Sequence, residues 1–82
     1  MRLPRNISGD DLVTALHKYG YRATRQTGSH IRLTLSAENK EFHITIPKHN
    51  PLRVGTLNNI LKALSIQLEI EKNDLIKKLF SR

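Results

Sequence analysis

The chain has 82 residues, the size of one domain, and a domain this short buries only about 60% of its unfolded surface, so a thin two-layer core is expected. Its 14 Lys and Arg against 7 Asp and Glu give a formal net charge of +7, which favours a polyanionic partner: nucleic acid, an acidic protein or an anionic membrane. The membrane is the weakest of these, since no apolar run approaches the ~20 residues needed to span one. With no Cys, a disulfide framework and a thiolate nucleophile are both excluded. Met1-Arg2-Leu3-Pro4-Arg5 has no apolar stretch behind its charges, so a cytosolic protein is expected.

Ser8 is a good N-cap, and Asp11 stands three residues on, where a capping-box acid belongs. Leu12, Val13, Leu16 and Tyr19 then form an apolar stripe, and Gly20 suits the left-handed residue that ends a helix. Residues 8–19 are thus the first predicted helix. Tyr21 to Gln26 follow as a short strand, with Thr27-Gly28-Ser29 as its turn. From His30 to Ser36 the chain alternates: Ile31, Leu33 and Leu35 on one face, His30, Arg32 and Thr34 on the other. Phe42, Ile44 and Ile46 repeat the pattern, leaving His43 and Thr45 on the polar side. The polar loop Ala37-Glu38-Asn39-Lys40 joins the two strands as a hairpin.

Pro47-Lys48-His49-Asn50-Pro51 reads as a loop, because Pro51 lacks a donor and biases Asn50 away from helix. Leu57, Ile60, Leu61 and Leu64 then recur at helical spacing, predicting a second helix over 54–65 that covers the sheet's apolar face. Residues 66–71 stay open between strand-like alternation and a loop, and an Asn73-Asp74 cap before Leu75, Ile76, Leu79 and Phe80 predicts a last helix over 72–80. The result is an α+β fold: a three-stranded antiparallel sheet with helices on one face and a C-terminal helical extension. No linker, repeat or low-complexity tract interrupts it, so a single domain over 1–82 is expected.

Pairing Ser36 with Glu41 places Thr34 opposite His43, Arg32 opposite Thr45 and His30 opposite Pro47. That brings His30 to the same sheet end as Lys48 and His49. The first hairpin admits two registers. A two-residue loop at Thr27-Gly28 sets Arg25 beside His30 but turns Arg22, Thr24 and Gln26 inward. A three-residue loop that includes Ser29 pairs Gln26 with His30 and sends Tyr21 and Ala23 to the core. The second is preferred because it buries the better residues, with Arg25 reaching around the strand rim on its long stem.

His30 is the leading candidate for chemistry, since an imidazole exchanges protons near neutral pH. Arg25, Lys48 and Arg53 are candidates to hold a phosphate and offset developing negative charge. RNA is the natural substrate, because its 2′-hydroxyl is a built-in nucleophile that needs only a proton acceptor. His49 is either a second proton-transfer group or a turn-stabilising loop residue. His43 reads as a cross-strand surface residue, His17 as solvent-facing, and Ser29 as a turn residue or a hydrogen-bond donor to phosphate, with no carboxylate placed to complete a triad. His30, His43 and His49 have neither Cys nor carboxylate among them, a poor metal-ligand set, so no metal or other cofactor is expected.

Taken together, Ser8-Gly9-Asp10-Asp11-Leu12, the Gly20-Tyr21 corner, Arg25-Gln26-Thr27-Gly28-Ser29-His30, Ile46-Pro47-Lys48-His49-Asn50 and Gly55-Thr56-Leu57 with Ile60-Leu61 resemble the HicA family of toxins from bacterial toxin-antitoxin pairs. The resemblance runs over a core of about residues 8–66, leaving 67–82 as an extension. It implies a double-stranded-RNA-binding-like fold and a metal-independent endoribonuclease acting on mRNA, with the family's catalytic histidine at His30 and its Gly-Ser pair at Gly28 and Ser29. It also implies a HicB-type antitoxin as second partner. The loop 37–40 and the tail beyond Ile66 match no family motif, and the tail is a candidate surface for homodimerisation or antitoxin contact. Two other readings stand beside the enzyme: a nucleic-acid-binding module, and an interaction domain for an acidic protein.

Overall fold

The computed structural model describes residues 6–80. Its elements run α1 (Gly9–His17), β1 (Arg22–Thr27), β2 (His30–Ala37), β3 (Lys40–Pro47), α2 (Val54–Leu68) and α3 (Lys72–Phe80). The strands form one antiparallel sheet in the order β1-β2-β3. α1 and α2 pack on β3, and α3 packs against both helices. This is the α+β architecture expected of the resemblance.

Helix α1 starts as its cap predicts. Ser8 Oγ accepts from the Asp11 amide at 3.0 Å, and the Ser8 amide donates to Asp11 Oδ2 at 3.1 Å, so two otherwise unpaired donors are satisfied. The helix stops at His17, earlier than its apolar stripe suggests. The amides of Tyr19 and Gly20 donate to the Leu16 and His17 carbonyls, tightening the chain into a turn.

The hairpin between β2 and β3 has the predicted register, with Ser36 opposite Glu41, Thr34 opposite His43, Arg32 opposite Thr45 and His30 opposite Pro47. The strands extend further toward the turn than expected, to Ala37 and Lys40. The first hairpin matches neither predicted register. Its turn is Gly28-Ser29, with Thr27 opposite His30, Gln26 opposite Ile31 and Arg25 opposite Arg32. A shift between Ala23 and Arg25 then sets Ala23 opposite Leu33 and Arg22 opposite Thr34. Thr24 is the extra residue of a β-bulge, and the bulge resolves the conflict that made both simple registers unsatisfactory. The turn can be tight, with Gly28 at φ +56 in a conformation costly for residues with a Cβ. Tyr21 still returns to the core, but Ala23, expected there too, stays exposed like the rest of β1, since α1 and α2 pack on β3 rather than over this edge strand.

Tyr21 is fully buried, in one cluster with Leu12, Leu16, Leu33, Ile46, Leu57, Leu61 and Leu64. Its hydroxyl donates to Gln67 Oε1 at 2.6 Å, and Gln67 Nε2 donates to the His43 carbonyl at 2.9 Å. That bridge accounts for α2 running on to Leu68, past the predicted end at Ser65: Gln67 is needed in helical position above the sheet. Glu69, at φ 53, ends the helix, and α3 follows over the predicted span. Leu75, Ile76 and Leu79 of α3 join the same core, and Lys72 Nζ donates to Asn58 Oδ1 across the α2–α3 contact.

Burial raises the Tyr21 hydroxyl's pKa above its ordinary value, so the fold favours the protonated phenol. A folded-state pKa above the unfolded one gives stability that is complete below about pH 10 and is lost as pH climbs through the folded value. Tyr21→Phe is expected to lower stability at neutral pH by about 1 kcal/mol through the lost hydrogen bond. It should also flatten the alkaline decline, as read from thermal midpoints across a pH series; an unchanged alkaline limb would contradict this assignment.

Candidate active site

One face of the sheet is covered by helices and the other is open and polar. Because opposite residues of a ladder share a face, the open face carries His30 with Thr27 and Pro47 at one end, Arg25 with Arg32 and Thr45 next, and Thr34 with Arg22 and His43 beyond. The bulged Thr24 joins this face, its hydroxyl 2.8 Å from Thr34 Oγ1.

His30 is exposed and begins β2 directly after the Gly28-Ser29 turn. The Lys48 amide donates to the Ser29 carbonyl at 2.6 Å, binding the exit of β3 to the turn. Gly28, Ser29, His30 and Lys48 therefore make one corner. His49 follows on the same loop, where its carbonyl accepts from the Gly9 amide at 2.9 Å. Leu52 closes the loop by donating to the Ile7 carbonyl at 2.7 Å.

Gly9 makes that closure sterically feasible. A Cβ built on Gly9 would lie 2.0 Å from the Pro47 carbonyl oxygen and 3.1 Å from Lys48 Cα. The first turn of α1 thus presses backbone to backbone on the segment that carries Lys48 and His49. This positioning role escaped the sequence reading. Its one signal was a glycine directly after an N-cap, a place where helix formers do better.

Arg25 sits otherwise than expected. It reaches the open face directly, opposite Arg32 and one ladder step from the Thr27–His30 pair, and has no need to bend around the rim. Arg53 is the exposed N-cap residue of α2, without a side-chain cap bond, and no hydrogen bond joins it to the His30 corner among the described residues.

His43 is the cross-strand surface residue expected, with two polar side-chain contacts. Its Nδ1 lies 2.9 Å from Thr34 Oγ1 and its Nε2 lies 3.6 Å from Glu41 Oε1. Thr24, Thr34, His43 and Glu41 form a chain of polar contacts across all three strands. Around it lies an open cleft of about 420 Å³, lined also by Arg25 and Arg32. The register exposed the Thr34–His43 pairing in advance. Glu41, two residues along the same face of β3, was the part overlooked. Among the described residues, no group of three or more His, Cys, Asp or Glu is placed to hold a metal ion, and no helix is long and apolar enough to cross a membrane.

Gly9→Ala forces a methyl group into the Pro47 carbonyl, and a loss of about 1–3 kcal/mol is expected from such overpacking. Urea denaturation measures it, and a midpoint equal to the wild type would show that the contact is not a constraint. A family model described as HicA toxin of bacterial toxin-antitoxin matches residues 9–66. No curated protein and no solved structure matches the chain.

Proposed function

The chain belongs to the HicA toxin family of bacterial toxin-antitoxin systems, and on that premise we propose that it is a metal-independent endoribonuclease that cleaves mRNA at the His30 corner. Membership of a toxin-antitoxin family implies an antitoxin partner. A HicB-type antitoxin that covers the open sheet face is the form of restraint that fits a chain of net charge +7.

The observation that carries the reading is the corner itself. An exposed imidazole stands at the end of β2, against a glycine-containing turn whose carbonyl holds the Lys48 amide. In the reaction, a base takes the proton of a ribose 2′-hydroxyl as that oxygen bonds to the adjacent phosphorus. The bond from phosphorus to the 5′-oxygen breaks, and an acid gives that oxygen a proton. The products are a 2′,3′-cyclic phosphate and a free 5′-hydroxyl. His30 acts as base or acid, and His49 or water completes the cycle. Lys48 and Arg25 neutralise charge on the phosphate, which matters most as it develops in the transition state. Gly28 lets the backbone approach the strand closely, and Ser29 shapes the pocket. Arg53 adds charge at the start of α2, in keeping with long-range attraction of RNA.

Wild type and His30→Ala, each induced in a bacterial host without antitoxin, test this. The wild type is expected to arrest growth and fragment mRNA, and the purified variant to cleave about 10²- to 10⁴-fold more slowly, the range of general acid-base catalysis. Equal cleavage by both proteins would remove His30 from the reaction. If neither cleaves and both bind RNA with the same salt dependence, the chain is a binding module and not a nuclease.

A further inference from the structure

Arg25 and Arg32 stand directly opposite each other on the ladder between β1 and β2. Like charges in that position destabilise a strand pair, and neither guanidinium has a carboxylate partner among the described residues. Glu41 on this face lies toward the imidazole instead, its Oε1 3.6 Å from His43 Nε2. The Thr24 bulge adds to the arrangement. Two residues of β1 face one of β2, which sets a hydroxyl and a guanidinium side by side on the open face.

We infer that the cleft between Arg25 and Arg32, walled by Thr24, Thr34 and His43, is a second phosphodiester-binding site for the same RNA strand. The inference rests on the RNA-cleaving reading and extends it. A bound phosphate removes the repulsion between the two arginines and presents oxygens to two planar, five-donor forks. The cleft, about 420 Å³ in volume, is open to solvent along the sheet, as a polymer requires. Arg32 follows His30 by two residues on one face of β2, a spacing of about 7 Å at ~3.4 Å per strand residue, comparable with the repeat of an extended single strand. The phosphate at His30 is cut and its neighbour is held at Arg32, with Arg25, opposite Arg32 and one ladder step from the Thr27–His30 pair, between the two.

The polar chain behind the cleft serves this purpose. Thr24 Oγ1, Thr34 Oγ1 and His43 Nδ1 are linked in series at 2.8 and 2.9 Å, and Glu41 Oε1 stands 3.6 Å from His43 Nε2. The wall is then held in one orientation while the arginines stay free to meet the ligand. Glu41 carries the one carboxylate lining the cleft, on the His43 side of it, 3.6 Å from Nε2.

Uncleavable 2′-O-methyl RNA of two and of six nucleotides supplies the test, with full-length wild type, Arg32→Gln and Lys62→Gln compared by titration at several salt concentrations. Lys62, exposed on α2, is a control for the same change of charge. The six-nucleotide strand is expected to bind wild type more tightly than the two-nucleotide one. Arg32→Gln should lose about tenfold or more for the longer strand, the worth of a hydrogen bond to a charged group, and its salt slope should fall by about 0.7, one single-strand phosphate. Its affinity for the shorter strand should stay within twofold. Equal losses in Arg32→Gln and Lys62→Gln would reduce the cleft to general charge and overturn the site. So would equal binding of both lengths by the wild type, while leaving the nuclease reading in place. Failure of the wild type to bind either strand would overturn the RNA reading and the site with it.

Discussion

A two-residue turn at Gly28-Ser29 and a buried tyrosine at position 21 demand opposite side-chain parities from the strand between them, and a single extra residue reconciles the demands. Everything on the open face follows from that. Without the bulge, a tight turn would drive Arg22 and Thr24 into the core and leave Tyr21 in water. With it, the half of β1 near the turn delivers Thr27 and Arg25 to the polar side, and Tyr21, just before the strand, reaches the core. The local cost is a broken ladder. The gain is a full aromatic side chain in a core that has few residues to spare, because an 82-residue chain encloses little volume.

This also separates what was legible in the chain from what was not. Strict alternation in β2 and β3 with a short polar connection leaves one register that buries Ile31, Leu33, Ile44 and Ile46 together, and that register is the one formed. A one-residue slip would have reversed every side chain, so the pattern itself carries the answer. In β1 the sequence Arg-Ala-Thr-Arg-Gln-Thr has no such alternation. Either regular register loses something, and the bulge is a third solution that no periodicity announces. The end of α2 was hidden for a different reason. Ile66, Leu68 and Ile70 alternate as a strand does, but the long-range bond from Tyr21 to Gln67 holds the segment helical, with Ile66 left exposed.

The candidate site divides along the same line. Gly28, Ser29, His30 and Lys48 meet because they flank the ends of two strands whose register was readable, and His49 follows on the same loop, bonded through its carbonyl to Gly9. The Arg25–Arg32 pair depends on the two-residue turn and the Thr24–Thr34 contact on the bulge, and both became visible only with β1 in place. Gly9 lay outside both kinds of reasoning, since its importance comes from a carbonyl 38 positions later in the chain, at Pro47.

The boundary drawn by likeness and the boundary drawn by burial are different. Family resemblance ends at residue 66, yet Leu75, Ile76 and Leu79 lie in the same apolar cluster as Leu12, Leu33 and Leu61. The last helix is interior material: a chain cut where recognition ends would keep every residue of the His30 corner and expose the side of the helical layer that α3 covers. For this protein, the stretch that carries the family likeness and the minimal folding unit are not the same object.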